Sequence, residues 1–321
     1  MTRRLVVVMD PVDHIKAYKD TTVGLLREAG RRGYRIDFAE ARDLALSAHR
    51  PVARARSLAV RDSDEDWCEL GEARELALGD ADVILMRKDP PFNMDYIYAT
   101  YLLEHAQAAG ALVVNDPASL RNANEKLFAT WFPDCMPPTL VTSRKDALHA
   151  FLREHGDIVV KPLDGMGGSS VFRVAAGDPN INFIFETMTG NEQHPTMAQR
   201  YLPAIASGDK RILMIDGEPV PFALARVPAP GETRGNLAAG GTGVGQPLSP
   251  SDRRICERVG PALRARGLMF VGLDVIGESL TEINVTSPTG LRELDRLFHI
   301  NIAGDFFDVL ERTMSKAART P

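Results

Sequence analysis

One segment near the C-terminal end carries three oxygen-bearing side chains at a spacing that suits a metal site. Two apolar runs, Leu268 to Ile276 and Leu280 to Val285, flank a Gly-Glu-Ser loop, a pattern typical of a β-hairpin. A three-residue loop places Asp274 opposite Glu282, and strand alternation puts Asn284 on the face of Glu282. Carboxylate and amide oxygens are ligands that Mg²⁺ prefers, often beside substrate phosphates. The hairpin predicts a nucleotide-bound Mg²⁺ site, and the alternative is a solvated polar strand face.

A glycine-rich loop and two lysines indicate where phosphates would bind. The segment K-P-L-D-G-M-G-G-S-S begins at Lys161, which follows a predicted strand from Ile158 to Val160. Its glycines allow backbone N–H groups to approach an anion closely. Neither a Walker A loop nor a G-x-G-x-x-G fingerprint is present, so an ordinary hairpin loop remains the alternative. Lys126, in the short predicted helix E-K-L-F-A-T-W-F, faces either a nucleotide or water.

A second glycine-rich segment runs from Pro228 to Gly245, with Arg234 near its middle. It contains few apolar residues, which predicts a mobile loop. Long loops inside compact domains are usually functional lids or flexible linkers, so the alternatives are a lid and a disordered connection.

Charged residues also follow a predicted strand in the first part of the chain. The turn R-K-D-P-P-F comes directly after the strand from Val83 to Met86. Ligands of open α/β sheets bind beyond the carboxyl ends of the strands, so Arg87 and Lys88 are candidates for binding a carboxylate. The alternative is that the prolines end the strand and both charges are solvated.

The elements that must position these groups fall into two regions. The pattern of the first region predicts a small open parallel sheet with helices on its faces. This sheet is built from two β-α-β units, with a short hairpin or excursion strand at 51–60 between them. The first region contains strands at 5–9, 34–39, 83–86 and 112–114 and helices at 20–33 and 94–109. The second contains strands at 139–141, 158–160, 196–202, 209–216 and 219–227 and helices at 144–154 (capped by Ser143), from Ser249 or Ser251 to 266, and 300–312.

Length and composition bound the possible functions. The 321 residues suffice for about two domains, and 44% hydrophobic with 25% charged residues is ordinary for a globular protein. A formal charge of -5 provides no basic field for nucleic acid or anionic lipid. The apolar run from Leu5 to Met9 is too short for a signal peptide or a membrane span. The three cysteines form no C-x-x-C pair, so a cytoplasmic location is expected.

Six motifs follow one another over nearly the whole chain: M-D-P at 9–11, I-L-M-R-K-D-P-P-F at 84–92, N-E-K-L-F at 124–128, K-P-L-D-G-M-G-G-S-S at 161–170, G-E-T-R-G-N-L-A-A-G-G at 231–241 and L-T-E-I-N-V-T-S-P-T at 280–289. Their order and spacing resemble the ATP-grasp superfamily and, within it, the bacterial glutathione synthetase family. Gly290 stands where several members of that family have cysteine, and the 51–75 region matches only loosely.

The resemblance implies an α/β protein in which an open parallel-sheet, Rossmann-like pre-ATP-grasp domain at 1–123 precedes an ATP-grasp α+β domain at 124–316. The nucleotide lid of the second domain would span about 139–202, and its catalytic and metal-binding part 203–316. The implied reaction joins γ-glutamylcysteine to glycine with ATP and Mg²⁺ or Mn²⁺, through an acyl phosphate. A homo-oligomer, as a tetramer, is also implied.

The resemblance further implies roles for individual residues. Arg211 and Arg234 would act near the transferring phosphate, and Arg87, Ser287 and Thr289 would bind substrate. Asp274, Glu282 and Asn284 would hold the metal. The implied ATP-binding residues are Lys126, Lys161, Gly165, Gly167, Gly168, Ser169, Gln199, Tyr201, Leu202 and Asp209.

Three other functions compete with this one. Another ATP-grasp ligase, of the D-alanine–D-alanine or glutamate-adding type, would retain the ATP and metal residues but would not explain R-K-D-P-P-F. A non-catalytic nucleotide-binding regulator predicts loss of metal ligands or lid arginines, which are present. A dehydrogenase would need a glycine fingerprint that the first domain lacks.

Overall fold

Three β-sheets meet around one cavity in a computed structural model that describes residues 2–165, 170–229 and 241–317. Within these residues, no helix combines the length and apolarity needed to cross a membrane. The strands are β1 Arg4–Val8, β2 Arg35–Ala39, β3 Leu44–Ser47, β4 Arg50–Val60, β5 Cys68–Ala77, β6 Val83–Met86, β7 Leu112–Val114, β8 Thr139–Thr142, β9 Asp157–Pro162, β10 Phe172–Ala175, β11 Thr196–Arg200, β12 Asp209–Ile215, β13 Glu218–Val227, β14 Thr242–Pro247, β15 Phe270–Ile276 and β16 Ser279–Asn284. The helices are α1 Thr21–Arg31, α2 Met94–Ala108, α3 Pro117–Asn122, α4 Lys145–His155, α5 Ile181–Thr189, α6 Pro250–Ala265, α7 Leu291–Phe298 and α8 Ile302–Ala317.

The first sheet has the strand order β3-β4-β2-β1-β6-β7, with β5 beside β4. Its strands β2, β1, β6 and β7 are parallel, which confirms the predicted α/β class. The central strands β1 and β6 are almost fully buried because helices cover both faces, as their unbroken apolar runs require. The hairpin predicted at 51–60 is longer than expected, because β4 and β5 form a long antiparallel hairpin that widens the sheet.

The second sheet is antiparallel, with the order β10-β9-β11-β8, and has a core of its own formed with α4 and α5. Leu148, Leu152 and Phe185 from the helices pack on Ile158 and Val160 of β9. The predicted cap at Ser143 is wrong, because α4 begins one residue later, with Arg144 at the N-cap. The sequence patterns predicted no helix at α5.

The third sheet is antiparallel, with the order β14-β13-β12-β15-β16, and contains the predicted hairpin as β15 and β16. The predicted three-residue loop is wrong, since Ile276 pairs with Ser279 across a two-residue turn. A β-bulge at Thr281 then shifts the register by one residue, and Asp274 does lie opposite Glu282. The extra residue points its hydroxyl at the Asp274 carbonyl, 3.1 Å away, which holds the bulge in place.

The glycine-rich segment from Pro228 to Gly245 is shorter than predicted as a loop, because residues 242–245 belong to β14. These residues pair with β13 through backbone hydrogen bonds, which need no apolar side chains. Arg234 and the rest of 230–240 lie outside the described residues. The short helix predicted after Asn124 is a 3-10 turn at Phe128–Trp131.

Asn115 ties the first sheet to the third. Its side-chain amide donates to the carbonyls of Phe270 and Val285, at 2.8 and 2.7 Å, and its carbonyl oxygen accepts from Phe270 N at 2.8 Å. The side chain is buried, and all three bonds reach β15 or the residue after β16. The end of β7 therefore fixes where the metal hairpin sits relative to the first sheet.

Candidate active site

A cavity of about 530 Å³ lies where the three sheets approach one another. The first domain contributes the loop before α1 and the turn at Asp89 and Pro90, while β9 and β11 of the second sheet close one end. The third sheet forms the floor with residues of β12, β13, β15 and β16. Most of the residues predicted to bind nucleotide, metal or substrate or to act in phosphoryl transfer line this space: Lys161, Gln199, Tyr201, Leu202, Asp209, Arg211, Asp274, Glu282, Asn284, Ser287 and Thr289.

Asp274 is the most heavily contacted carboxylate of the floor. Arg211 binds both of its oxygens, with Nε to Oδ1 at 2.6 Å and Nη2 to Oδ2 at 3.0 Å. Arg226 Nη2 lies 3.0 Å from Oδ2, and the Asn284 amide donates to the same oxygen at 3.1 Å. Burial raises the pKa of Asp274, but the two guanidinium groups outweigh burial and hold this pKa well below its usual range.

Glu282 faces Asp274 across the hairpin and is held by two lysines. Lys161 Nζ lies 3.1 Å from Glu282 Oε1, and Lys126 Nζ lies 3.7 Å from it. Burial raises the pKa of Glu282, and the lysines more than reverse that effect, so the pKa is lowered and the carboxylate stays ionised. Lys126 also donates to Glu125 Oε1 at 2.6 Å and to the Gly165 carbonyl at 2.7 Å. The pKa of Lys126 is raised because Glu282 and Glu125 outweigh its burial.

Two further charged residues of the site were not predicted from the sequence. Arg226 on β13 is buried and bridges Asp209 and Asp274, and Glu125 is the partner of Lys126. Arg226 pairs with Asp209 across the β12-β13 hairpin, whose turn lies at Gly217. A register shift between Ile212 and Met214 moves Arg226 to that position, and simple counting from the turn would not have found it.

The charges of this group balance. Its four cations match its four carboxylates, so the cavity floor carries no net charge before a ligand binds. Burial raises the pKa of Asp209 to about 6, with the neighbouring carboxylates adding to the effect and Arg226 opposing it. The cations are Lys126, Lys161, Arg211 and Arg226, and the carboxylates are Glu125, Asp209, Asp274 and Glu282.

The second sheet provides a less polar end of the cavity. Val159, Leu202 and Ile205 line it together with Tyr201, over whose ring the Arg173 guanidinium stacks at 3.8 Å. Gln199 is buried, and its side chain donates to Thr139 Oγ1 at 3.2 Å. Flat apolar walls with adjacent backbone groups suit a heteroaromatic ring.

Arg87 does not reach the cavity. It is buried, and it donates to Thr22 Oγ1 at 3.2 Å and to the Pro288 carbonyl at 3.1 Å. The alternative in which both charges of this turn are solvated is wrong for Arg87, while Lys88 pairs with Asp10 at 2.7 Å. Arg87 thus supports the backbone between Ser287 and Thr289, both of which line the cavity. Gly167, Gly168 and Ser169 lie outside the described residues.

The donor set of the hairpin fits a hard divalent cation. Within the described ranges, no three His, Cys, Asp or Glu side chains cluster as a metal site, so carboxylates alone would not complete one. The hairpin instead offers two carboxylates and the amide of Asn284, whose nitrogen donates to Asp274 and leaves its oxygen for a metal. Such a set leaves coordination positions for phosphate oxygens and water, as Mg²⁺ sites on nucleotides do.

Models of the prokaryotic glutathione synthetase N-terminal domain and of the prokaryotic glutathione synthetase ATP-grasp domain match residues 4–121 and 125–299. The chain belongs to the prokaryotic glutathione synthetase family. Among curated relatives, the glutathione synthetase of Pseudomonas syringae pathovar tomato is 56% identical over 314 residues, covering 98% of each chain. That of Salmonella typhimurium is 56% identical over 313 residues, 98% of this chain and 99% of its own.

Solved structures outside this family share the fold. D-cycloserine synthetase DcsG superimposes with a TM-score of 0.67 at 14% identity, covering 97% of this chain and 99% of its own. D-alanyl-alanine synthetase A from Vibrio cholerae gives a TM-score of 0.63 at 11% identity, covering 98% and 100%. The ATP-grasp domain model that matches residues 125–299 confirms the ATP-grasp fold, and membership of the family makes the chain an ATP-dependent ligase.

The balance of buried charge predicts the effect of removing Arg226. We expect Arg226→Met to lower the free energy of unfolding by about 3–5 kcal/mol at pH 8, because Asp209 and Asp274 lose a buried partner. Without Arg226, the pKa of both carboxyl groups would rise in the folded state. Their protonation would then recover part of the lost free energy of unfolding, so the difference between variant and wild type should shrink as the pH falls toward about 5. Urea denaturation measures both effects. Arg264→Met, at an exposed ion pair, is the control, and an equal loss in both variants would contradict the prediction.

Proposed function

We propose that the chain is a glutathione synthetase that joins γ-glutamylcysteine to glycine and converts ATP to ADP and phosphate. The observation that carries this proposal is the charge-balanced group on the cavity floor, where the Asp274–Glu282 pair faces two lysines and two arginines. A carboxylate does not condense with an amine in water, so it must first be activated as an anhydride with phosphate. Phosphoryl transfer to a carboxylate needs positioning and charge neutralisation and no protein nucleophile.

The place of each residue in the cavity indicates which part of the substrates it binds. Lys126 and Lys161 bind the phosphates of ATP from one side, and Arg211 and Arg226 bind the reacting phosphoryl group from the other. Gln199, Tyr201 and Leu202 receive the adenine at the less polar end, and Asp209 accepts a hydrogen bond from the ribose. Ser287 and Thr289 contact the peptide substrate, and Arg87 positions them through the Pro288 carbonyl. The acyl phosphate is attacked by the glycine amine.

Asp274, Glu282 and Asn284 hold Mg²⁺, with Mn²⁺ as a second candidate, because both are hard cations that accept this oxygen set. When bound, the ion neutralises charge on the transferring phosphoryl group. The lysines and arginines contact the oxygens of Asp274 and Glu282. ATP would draw the cations toward its phosphates and free carboxylate oxygens for the metal.

The assay that tests the function supplies ATP, Mg²⁺, γ-glutamylcysteine and each of the twenty amino acids in turn, and follows phosphate release. We expect stoichiometric phosphate and tripeptide with glycine and little release with the others. A parallel assay supplies D-alanine in place of both amino substrates, and phosphate release there would instead assign a D-alanine ligase. No release with any amino acid would contradict a ligase function.

The proposed metal ligands are tested by substitutions in the β15-β16 hairpin, which also contains the control position. We expect Glu282→Gln to lower turnover by at least about 100-fold, since it removes a charged ligand from the ion on the phosphates. Asn284→Ala should lose less and recover in part at high Mg²⁺, because a neutral amide binds the ion more weakly. Glu278→Gln, exposed in the turn of the hairpin, is the matched control. Activity of Glu282→Gln equal to that of the control at saturating Mg²⁺ would rule out the site.

We propose that the chain acts in the cytoplasm as a homo-oligomer, and that this oligomer is a tetramer. Met94, Tyr98 and Tyr101 lie at i, i+4 and i+7 of α2 and expose about half of each side chain, with fractions of 54%, 56% and 49%. Such a stripe on one helix face is typical of a surface covered by a partner.

We expect Tyr98→Asp, which places a charge in the centre of this stripe, to shift the sedimenting species toward the monomer at micromolar concentration. Tyr18→Asp, on another surface, is the control with a similar exposed fraction of 50%. A wild-type protein that sediments as a monomer would contradict the oligomer itself.

A further inference from the structure

The end of the cavity beyond Thr289 contains charged groups that phosphate transfer does not use. Glu293 lies in the first turn of α7 and lines the cavity. Its Oε2 atom is buried and has no hydrogen-bond partner in the part of the chain that the structure describes. A buried carboxylate oxygen without a partner costs free energy, so it indicates a ligand that supplies a donor.

Cations surround Glu293, yet none of them pairs with it. Arg292 is turned toward Asp64, at 3.2 Å, and no ion pair within the described ranges joins Glu293 to Arg296 or to Lys19. Lys19 also lines the cavity, where its charge acts on the Glu293 carboxylate from a distance. The Lys19 ammonium nitrogen lies 5.9 Å from the centroid of the Tyr18 ring. One cation and one anion thus share this part of the cavity without contacting each other.

We propose that Lys19 and Glu293 form a subsite for an α-amino-acid zwitterion, in which Lys19 binds the carboxylate and Glu293 accepts hydrogen bonds from the ammonium group. This inference rests on the proposed function, because that reaction uses two molecules with such an end. One is the glutamyl end of γ-glutamylcysteine, and the other is glycine. A ligand with both charges would fill the gap between the two side chains and satisfy Oε2 at once.

The position of the subsite agrees with a role in holding an amino substrate. The Thr289 carbonyl accepts from Arg211 at 3.3 Å, so this residue marks the phosphoryl end of the segment. Glu293 follows after the N-cap Gly290, about one helical turn or roughly 5 Å farther along. A substrate whose reacting carboxylate lies at Arg211 can therefore extend its other end toward Glu293. Asp20 and Asp89 also line the cavity and would disfavour a ligand that carried carboxylates alone.

The test compares Glu293→Gln and Lys19→Met with wild type and with Glu72→Gln, an exposed control on β5. The KM values for γ-glutamylcysteine, glycine and ATP are measured separately, and isothermal titration with γ-glutamylcysteine and glycine in the presence of a non-hydrolysable ATP analogue gives a readout without turnover. Both variants should raise KM for one amino substrate at least about 10-fold, as expected for loss of a charge-assisted hydrogen bond, and leave KM for ATP within about twofold.

Two analogues identify the ligand. Glutarylcysteine lacks the α-ammonium group of γ-glutamylcysteine, and glycinamide lacks the carboxylate of glycine. If the glutamyl end binds here, wild type discriminates strongly against glutarylcysteine and Glu293→Gln does not. If glycine binds here, Lys19→Met loses its preference for glycine over glycinamide, and its KM for glycine is the one that rises.

The inference is overturned if, in both variants, KM for γ-glutamylcysteine and KM for glycine stay within twofold of the wild-type values. It is also overturned if KM for ATP rises in parallel with them. Wild-type protein that forms no glutathione would contradict the proposed function instead. Titration of the two amino substrates would then still decide whether Glu293 and Lys19 bind a zwitterion.

Discussion

The arrangement of this protein depends on keeping Asp274 and Glu282 ionised next to each other in a buried place. Two carboxylates opposite each other on a hairpin repel, and removing them from water costs several kcal/mol for each charge. Arginines on one side and lysines on the other offset that cost, and the pKa of each carboxyl lies below its ordinary value. A metal and a triphosphate can then enter a group that already has both signs of charge in place.

No single sheet can supply those cations. Arg211 lies on β12 beside the hairpin, and Arg226 lies on β13, the next strand of the same sheet. Lys161 lies near the end of β9 in the second sheet, and Lys126 follows the first sheet along the chain. The backbone also joins these parts, since Ile283 N donates to the Glu125 carbonyl at 2.8 Å. Asn115 sets the same strands against the first sheet. The contacts that bring the three sheets together around the cavity are therefore also the contacts that balance its charge.

Sequence patterns predicted the elements wherever apolar periodicity or a clear turn marked them, as at β6, β7 and the metal hairpin. They failed where register depends on tertiary context. The bulge at Thr281 has no local signature, and the pairing of Asp274 with Glu282 was reached through a loop length that the protein does not use. Arg226 was overlooked for the same reason. Arg87, which the motif predicts as a substrate contact, is buried and donates to the Pro288 carbonyl, a contact that no spacing along the chain indicates.

The central claim is that this charge-balanced cavity transfers a phosphoryl group from ATP to a substrate carboxylate. The most direct measurement uses γ-glutamylcysteine labelled with ¹⁸O in the cysteinyl carboxylate and follows the label by mass spectrometry of the inorganic phosphate. Attack of glycine on an acyl phosphate leaves one carboxylate oxygen on phosphate, so we expect one ¹⁸O atom per phosphate when the label is complete. Glutathione formed alongside phosphate that contains no ¹⁸O would contradict the claim.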